Sequence, residues 1–306
     1  MRKTLVETLT ILARQDKDIF LITGDLGFSV FENFAQEFPD RFINCGIMEQ
    51  SMMSIAAGMA LSGKKPYVYS IIPFATMRPF EQIRNDICYQ NLDVKIIGIG
   101  AGFAYGALGS THYAIEDIAI LRSLPNITIV SPADSIETKA LILQLHKKRG
   151  AAYIRINKPE TTLVPIGVKT ILSKPSVIQD GKDGIIITTG ERLETGIAVA
   201  EKLKNKGLHM KLISMHTLKP VDEKAFAKEV KNQKYLYTIE EHRMAGGLAS
   251  IVAEMICRQN LVRINVKNFG VDNTYPGITS HQHSLAKHHG IDADHIYKKI
   301  IQHHGN

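Results

Sequence analysis

Residues 44–63 read NCGIMEQSMMSIAAGMALSG, and they decide the fold class. A short strand-like run, Arg41 to Cys45, passes through one glycine into a helix of Ala, Gly, Ser and Met, which is the strand-to-helix junction of a parallel α/β sheet. The junction carries a single carboxylate, Glu49. An acid at the mouth of a tightly packed helix has little water to support its charge, so it either holds its proton or finds a specific partner. Its local alternative is an ordinary helix-start glutamate favoured by the helix dipole.

The same alternation extends outward from this junction. Strands are expected at Ile19 to Thr23, Arg41 to Cys45, Pro66 to Ile71, Val94 to Ile99, Ile127 to Ser131 and Ala152 to Ile156, with helices between them. Residues 158–183 carry Pro159, Pro165, Pro175, Gly167 and Gly181, lose the period and read as a connection. A second alternation follows, with strands at Ile185 to Thr189, Met210 to Ser214, Tyr235 to Glu240 and Ile264 to Phe269. The expected fold is α/β, with two three-layer domains of mainly parallel sheet at 1–165 and 183–306 joined by a linker at 166–182.

The chain has 306 residues, 44% hydrophobic and 22% charged, with a net charge of +7, which is the balance of a soluble globular protein. The basic residues are scattered and lack interleaved aromatics, so anionic small molecules are expected and nucleic acid is not. Cys45, Cys88 and Cys257 are odd in number and form no CxxC pair, which fits a reduced, cytoplasmic setting without a zinc site. Arg2, Lys3, Glu7, Arg14 and Asp16 break up any apolar leader, and no run is long and apolar enough to span a membrane. Seven of the twelve histidines lie after residue 280 and read as a solvated helix and tail rather than a metal site.

Several candidate residues fall beyond strand ends, where open parallel sheets collect their ligands. Asp25 and Ser29 lie in TGDLGFS after the first strand, as ligand contacts or as a turn and helix cap. The segment 98–117, GIGAGFAYGALGSTHYAIED, places five glycines before His112. That histidine is either structural or a donor to a proton or an oxyanion. Phe74, Met77 and Phe80 recur at helical spacing and form an apolar wall or plain core. Arg155 ends the sixth strand, positioned for a phosphate or carboxylate grip or for a salt bridge.

In order, GDLG at 24–27, NCGIMEQ at 44–50, PFATMRPF at 73–80, GSTHYAIEDIAILRSLPNITIVSPAD at 109–134, and HTLKPVD with EEHRMAGGLAS at 216–222 and 240–250 resemble the C-terminal half of the transketolase family of thiamine diphosphate enzymes. The resemblance covers nearly the whole chain. It implies that Glu49 hydrogen-bonds a ring nitrogen of the cofactor's aminopyrimidine and controls its proton, and that Phe74, Met77 and Phe80 pack on that ring. By the same resemblance Asp25 belongs to the cofactor site, His112 stands beside the reacting carbon, and Ser29 and Arg155 contact a substrate phosphate.

The family's diphosphate and metal motif, GDG followed by an asparagine, does not occur here. The resemblance therefore implies a split enzyme. A separate N-terminal subunit would hold the diphosphate and Mg2+ or Ca2+, this chain would hold no metal, and two copies of each would form an α2β2 heterotetramer. Leu108 and Gly100 stand where sugar-using relatives have an acid and a histidine, which points away from a standard ketose phosphate donor and toward a less hydroxylated or deoxy sugar, or pyruvate. The expected activity is ketol transfer by a transketolase-type transferase. The alternatives are a pyruvate-decarboxylating synthase, a 2-oxo acid dehydrogenase beta-type subunit, or a noncatalytic scaffold.

Overall fold

The computed structural model describes residues 1–261 and 263–304. Its strands are β1 (Ile19–Thr23), β2 (Phe42–Asn44), β3 (Lys65–Ile71), β4 (Lys95–Ile99), β5 (Ile127–Val130), β6 (Ala151–Ile156), β7 (Ser176–Gln179), β8 (Gly184–Thr188), β9 (Met210–Ser214), β10 (Thr217–Lys219), β11 (Tyr235–Arg243) and β12 (Asn265–Val271). They form a seven-stranded sheet in the order β10-β5-β6-β4-β3-β1-β2 and a five-stranded sheet in the order β12-β11-β8-β9-β7. Every pairing is parallel except β10 with β5 and β7 with β9.

The central strands of both sheets are almost wholly apolar and buried, as strands covered on both faces must be. On one face of the first sheet, Leu5 and Leu9 of the helix Arg2–Gln15 pack with Leu141 and Leu145 of the helix Ser135–Lys147. On the other face, Met52 and Ala56 of the helix Glu49–Leu61 join Ile118 and Leu121 in a core that continues into the second domain through Ile185, Phe226 and Leu248. A second cluster, in which Phe103 and Tyr113 pack with Ile186 and Tyr237, also joins the two domains. Arg192–Lys204 and Ala293–His304 cover the far face of the second sheet.

Two elements depart from the expected organisation. β7 lies inside the segment read as an aperiodic connection, yet it is an edge strand of the second sheet. β10 comes from the second half of the chain and pairs with β5 of the first sheet, Thr217 opposite Val130, so the chain crosses back over the division. Strands of four and three residues are too short to display a period of two. The histidine-rich end also does more than face water: His289 stacks on Phe103 with ring centroids 5.3 Å apart, and His303 meets the Tyr237 hydroxyl at 3.0 Å.

Candidate active site

Parallel pairing brings strand ends into line, with Thr23 opposite Asn44, Ile71 opposite Ile99, and Ile99 opposite Ile156. The segments that leave those ends therefore gather on one edge of the sheet: Asp25 and Ser29 after β1, Glu49 after β2, Phe74 after β3, His112 after β4 and Lys158 after β6.

Asp25 lies in a left-handed turn at φ 56°, tied to Asn44 by reciprocal bonds: its N–H donates to Asn44 Oδ1 at 2.9 Å, and Asn44 Nδ2 donates to its Oδ1 at 3.2 Å. Asn44 Oδ1 also accepts the Gly46 N–H at 3.0 Å, so one asparagine sets both the Asp25 turn and the approach to Glu49. Glu49 opens its helix with a side chain only 2% exposed. It has found a partner: Arg78 Nη1 donates to its Oε2 at 2.6 Å. No hydrogen bond to Oε1 is made among the described residues.

Arg78 in turn lies 4.3 Å over the Phe74 ring, and Phe74 meets the His112 imidazole edge-on with centroids 5.1 Å apart. His112 is half-buried, which lowers its pKa and favours the neutral ring. Its Nδ1 is 3.0 Å from Thr111 Oγ1, leaving Nε2 for a ligand. On the far side Tyr105 lies 6.3 Å from His112, and Lys158 Nζ sits 3.3 Å from the Tyr105 ring centroid. These contacts form one continuous row from Glu49 to Lys158.

Gly100 has φ 91°, and a Cβ there would fall 2.2 Å from the Tyr105 ring, so a side chain at this position needs both a strained backbone and a displaced Tyr105. Leu108 is 57% exposed on the same loop. Ser29 is exposed at φ 59° beside Arg2, Asn33 and Lys158 in a cavity of about 350 Å³ that Glu7 and Glu160 also line.

Two expectations are corrected. Phe74, Met77 and Phe80 do not lie on one helical face, because the helix Ile72–Thr76 stops before the turn Phe80–Gln82 begins. Phe74 packs with the core on the outer face of the sheet and Phe80 with the core shared between the domains. Arg155 reaches no ligand surface at all. Its side chain is 1% exposed, and it donates to Asp117 Oδ2 at 2.9 Å and to the carbonyls of Ala114 and Glu241 at 2.9 and 3.1 Å. Burial opposes its charge, but Asp117 and Glu191 more than restore it. Position at a strand end says where a residue is, not which way its side chain turns.

Sequence reasoning missed Arg78 and Lys158. Arg78 stands within the quoted PFATMRPF, one residue after Met77, and an unpaired acid at Glu49 was a reason to look for such a cation. Among the described residues, no group of three or more His, Cys, Asp or Glu is arranged to hold a metal ion.

Residues 1–162 match the family model described as transketolase, pyrimidine binding domain, and residues 173–296 match that of the transketolase C-terminal domain. The chain belongs to the transketolase family. An apulose-4-phosphate transketolase subunit from Phocaeicola vulgatus is 36% identical over 304 residues, covering 98% of this chain and 96% of that protein. A 1-deoxy-D-xylulose-5-phosphate synthase from Shouchella clausii is 35% identical over 273 residues, which are 88% of this chain and 43% of that longer protein. A solved structure described as a split gene transketolase, inactive beta4 tetramer, superimposes with a TM-score of 0.87 at 32% identity, covering 98% of this chain and 96% of that one. As a transketolase-family chain, it carries the pyrimidine-binding and C-terminal domains.

Proposed function

We propose that this chain is the C-terminal subunit of a split, thiamine diphosphate-dependent transketolase, transferring a ketol unit from a phosphorylated or deoxy ketose to an aldehyde acceptor. The observation that carries this reading is the row Glu49, Arg78, Phe74, His112, Tyr105, Lys158, which runs from a buried acid to a cationic end along one sheet edge. It has the right chemistry in order: proton control, an aromatic face, a neutral imidazole, then an anion grip.

The residues fit the pyrimidine end of the cofactor. Glu49 Oε1 is available to a ring N–H, Phe74 offers a flat apolar face, and Phe28, Ile47 and Met48 near this edge are 75%, 72% and 54% exposed, as surfaces covered by another subunit would be. Thiamine diphosphate, when bound, supplies the nucleophilic carbon for carbon-carbon cleavage. Glu49 holds the proton at the pyrimidine nitrogen, with Arg78 supporting its charge. His112 Nε2 donates to the substrate oxygen on which negative charge develops.

Lys158 and Arg2, with Ser29, take the role that the resemblance had given Arg155. Burial lowers the Lys158 pKa and the nearby Arg2 lowers it further, so the two cations repel each other across this cavity. A phosphate or other dianion relieves both. The partner subunit would supply the diphosphate site and the Mg2+ or Ca2+, in an assembly of two copies of each subunit. The inactive four-copy assembly of the structural relative suits a subunit of this kind that is inactive alone.

The exposed Leu108 and the space taken by Tyr105 over Gly100 favour, as a second reading, a pyruvate-decarboxylating synthase. One experiment separates them. The chain is combined with the partner subunit, thiamine diphosphate and magnesium, and is offered an aldose phosphate acceptor together with a ketose phosphate or pyruvate. Aldose phosphate elongation without carbon dioxide supports ketol transfer. Carbon dioxide release from pyruvate supports the synthase, and no turnover with any donor supports a scaffold.

A further inference from the structure

The loop that carries His112 is closed at its base by Gly102 and Ala114, whose N–H groups donate to each other's carbonyls at 3.1 and 2.8 Å, and it is braced from the other domain. Gly102 has φ 59°, and between it and His112 the backbone has only short 3-10 turns, Gly106–Leu108 and Ser110–His112. Such a segment does not hold a side chain still by itself. Its further ties come from behind. The Phe103 N–H donates to Glu241 Oε1 at 3.1 Å, and the Tyr113 hydroxyl donates to the Ile278 carbonyl at 2.9 Å. Arg155 bridges the carbonyls of Ala114 and Glu241.

Glu241 is 1% exposed and lies on β11 of the second sheet. Its Oε2 is occupied by Arg192, through Nε at 2.9 Å and through Nη2, and by Gln282 Nε2 at 2.8 Å. A Cβ on Gly102 would fall 2.5 Å from Glu241 Cγ, so the loop is seated directly on this side chain. Phe103, the residue Glu241 grips, also stacks on His289 of the second domain.

We propose that Glu241, fixed by Arg192 and Gln282, is a positioning residue that holds the His112 loop in register from the C-terminal domain. The fork of Arg192 sets the Glu241 carboxylate, the carboxylate sets the Phe103 N–H, and the loop then presents His112 against Phe74. The catalytic half of this inference rests on the transketolase reading; the mechanical half does not.

Arg192 and Gln282 also line an interdomain cavity of about 630 Å³, so a small guanidinium has a path to the place that Arg192 vacates on substitution. The test is amide hydrogen exchange on the full chain, with Arg192→Ala, Arg192→Lys and the milder Gln282→Ala, each with and without methylguanidine. In Arg192→Ala the exchange of residues 101–113 is expected to rise about tenfold, the scale of one lost hydrogen bond, while β3 stays protected, and methylguanidine reverses the rise. Gln282→Ala, which leaves the ion pair intact, gives a smaller rise in the same residues. In the complex with the partner subunit, kcat falls by up to about 10²-fold with thiamine diphosphate affinity unchanged, because misplacement of a reacting group by about 1 Å has that effect. Unchanged exchange at 101–113 in all variants overturns the proposal, as does a rise spread over both domains that methylguanidine does not reverse. If the unsubstituted complex turns over no donor, the transketolase reading fails and the exchange pattern still decides the brace.

Discussion

Arg78 Nη1 lies 2.6 Å from Glu49 Oε2, and the two side chains differ sharply in exposure, 42% for Arg78 and 2% for Glu49. The pair joins a carboxylate held out of water to a cation that is still partly in it. This asymmetry makes the two residues separable by substitution.

Arg78→Ala leaves the Glu49 carboxylate buried without a partner. The expected loss of stability is about 1–3 kcal/mol, less than a fully buried pair would lose because Arg78 is partly solvated. Glu49→Gln keeps the shape and an acceptor for Arg78, so its stability changes by under about 1 kcal/mol, while turnover in the complex falls by about 10²–10⁴-fold. Thermal unfolding of the chain and steady-state rates of the complex check the two halves separately. Equal loss of stability in both variants would contradict the assignment.

Lys158→Met, alone or with Arg2→Met, is expected to raise KM for phosphorylated substrates by about tenfold to a hundredfold, the value of one or two charge-assisted contacts. The unphosphorylated analogue should change little. Arg155→Met is expected to lower the melting temperature instead, since it strands Asp117 in the interior. Kinetics with paired phosphorylated and free substrates, beside melting curves, distinguish the two cations.

His112→Asn keeps a donor of similar reach and removes the imidazole. The expected fall in kcat is about tenfold to a hundredfold with cofactor affinity unchanged, and Leu108→Ala on the same loop should leave kcat near the parent value with a phosphorylated donor. Steady-state kinetics and cofactor titration of both variants check this pattern.

Much of this was legible in the chain before the structure. β1 and β9 fall where the alternation of apolar runs placed them, because five-residue runs rich in buried apolar side chains stand out from their polar flanks. Glu49 was legible because an acid among small apolar residues conflicts with its surroundings. Arg155 was misread because periodicity fixes the face of a half-solvated strand, whereas β6 is buried on both faces and carries no such signal. Arg78 and Lys158 were passed over because a single cation among 37 Lys and Arg has nothing local to mark it until the fold supplies its neighbours.

Burial holds His216 and His242 neutral, with pKa values pushed down to about 4 from 6.5. The unfolded chain takes up protons as pH falls through 6.5 and the folded chain does not, so the stability these residues contribute is complete above 6.5 and lost between about 6.5 and 4. Each group accounts for about 3 kcal/mol over that window. Glu240, pushed up to about 8 by burial, acts with the opposite sign: its contribution is complete below 4.5 and lost as pH rises toward 8. His216→Asn should therefore flatten the pH dependence of the melting temperature between 6.5 and 4 and leave the alkaline side unchanged.

If half of a cofactor site is built on this chain, calorimetric titration of thiamine diphosphate with magnesium will register its missing half. The expected result is no measurable binding to the chain alone, stoichiometric binding once the partner subunit is added, and loss of that binding in the Glu49→Ala complex. Tight binding to the isolated chain would contradict it.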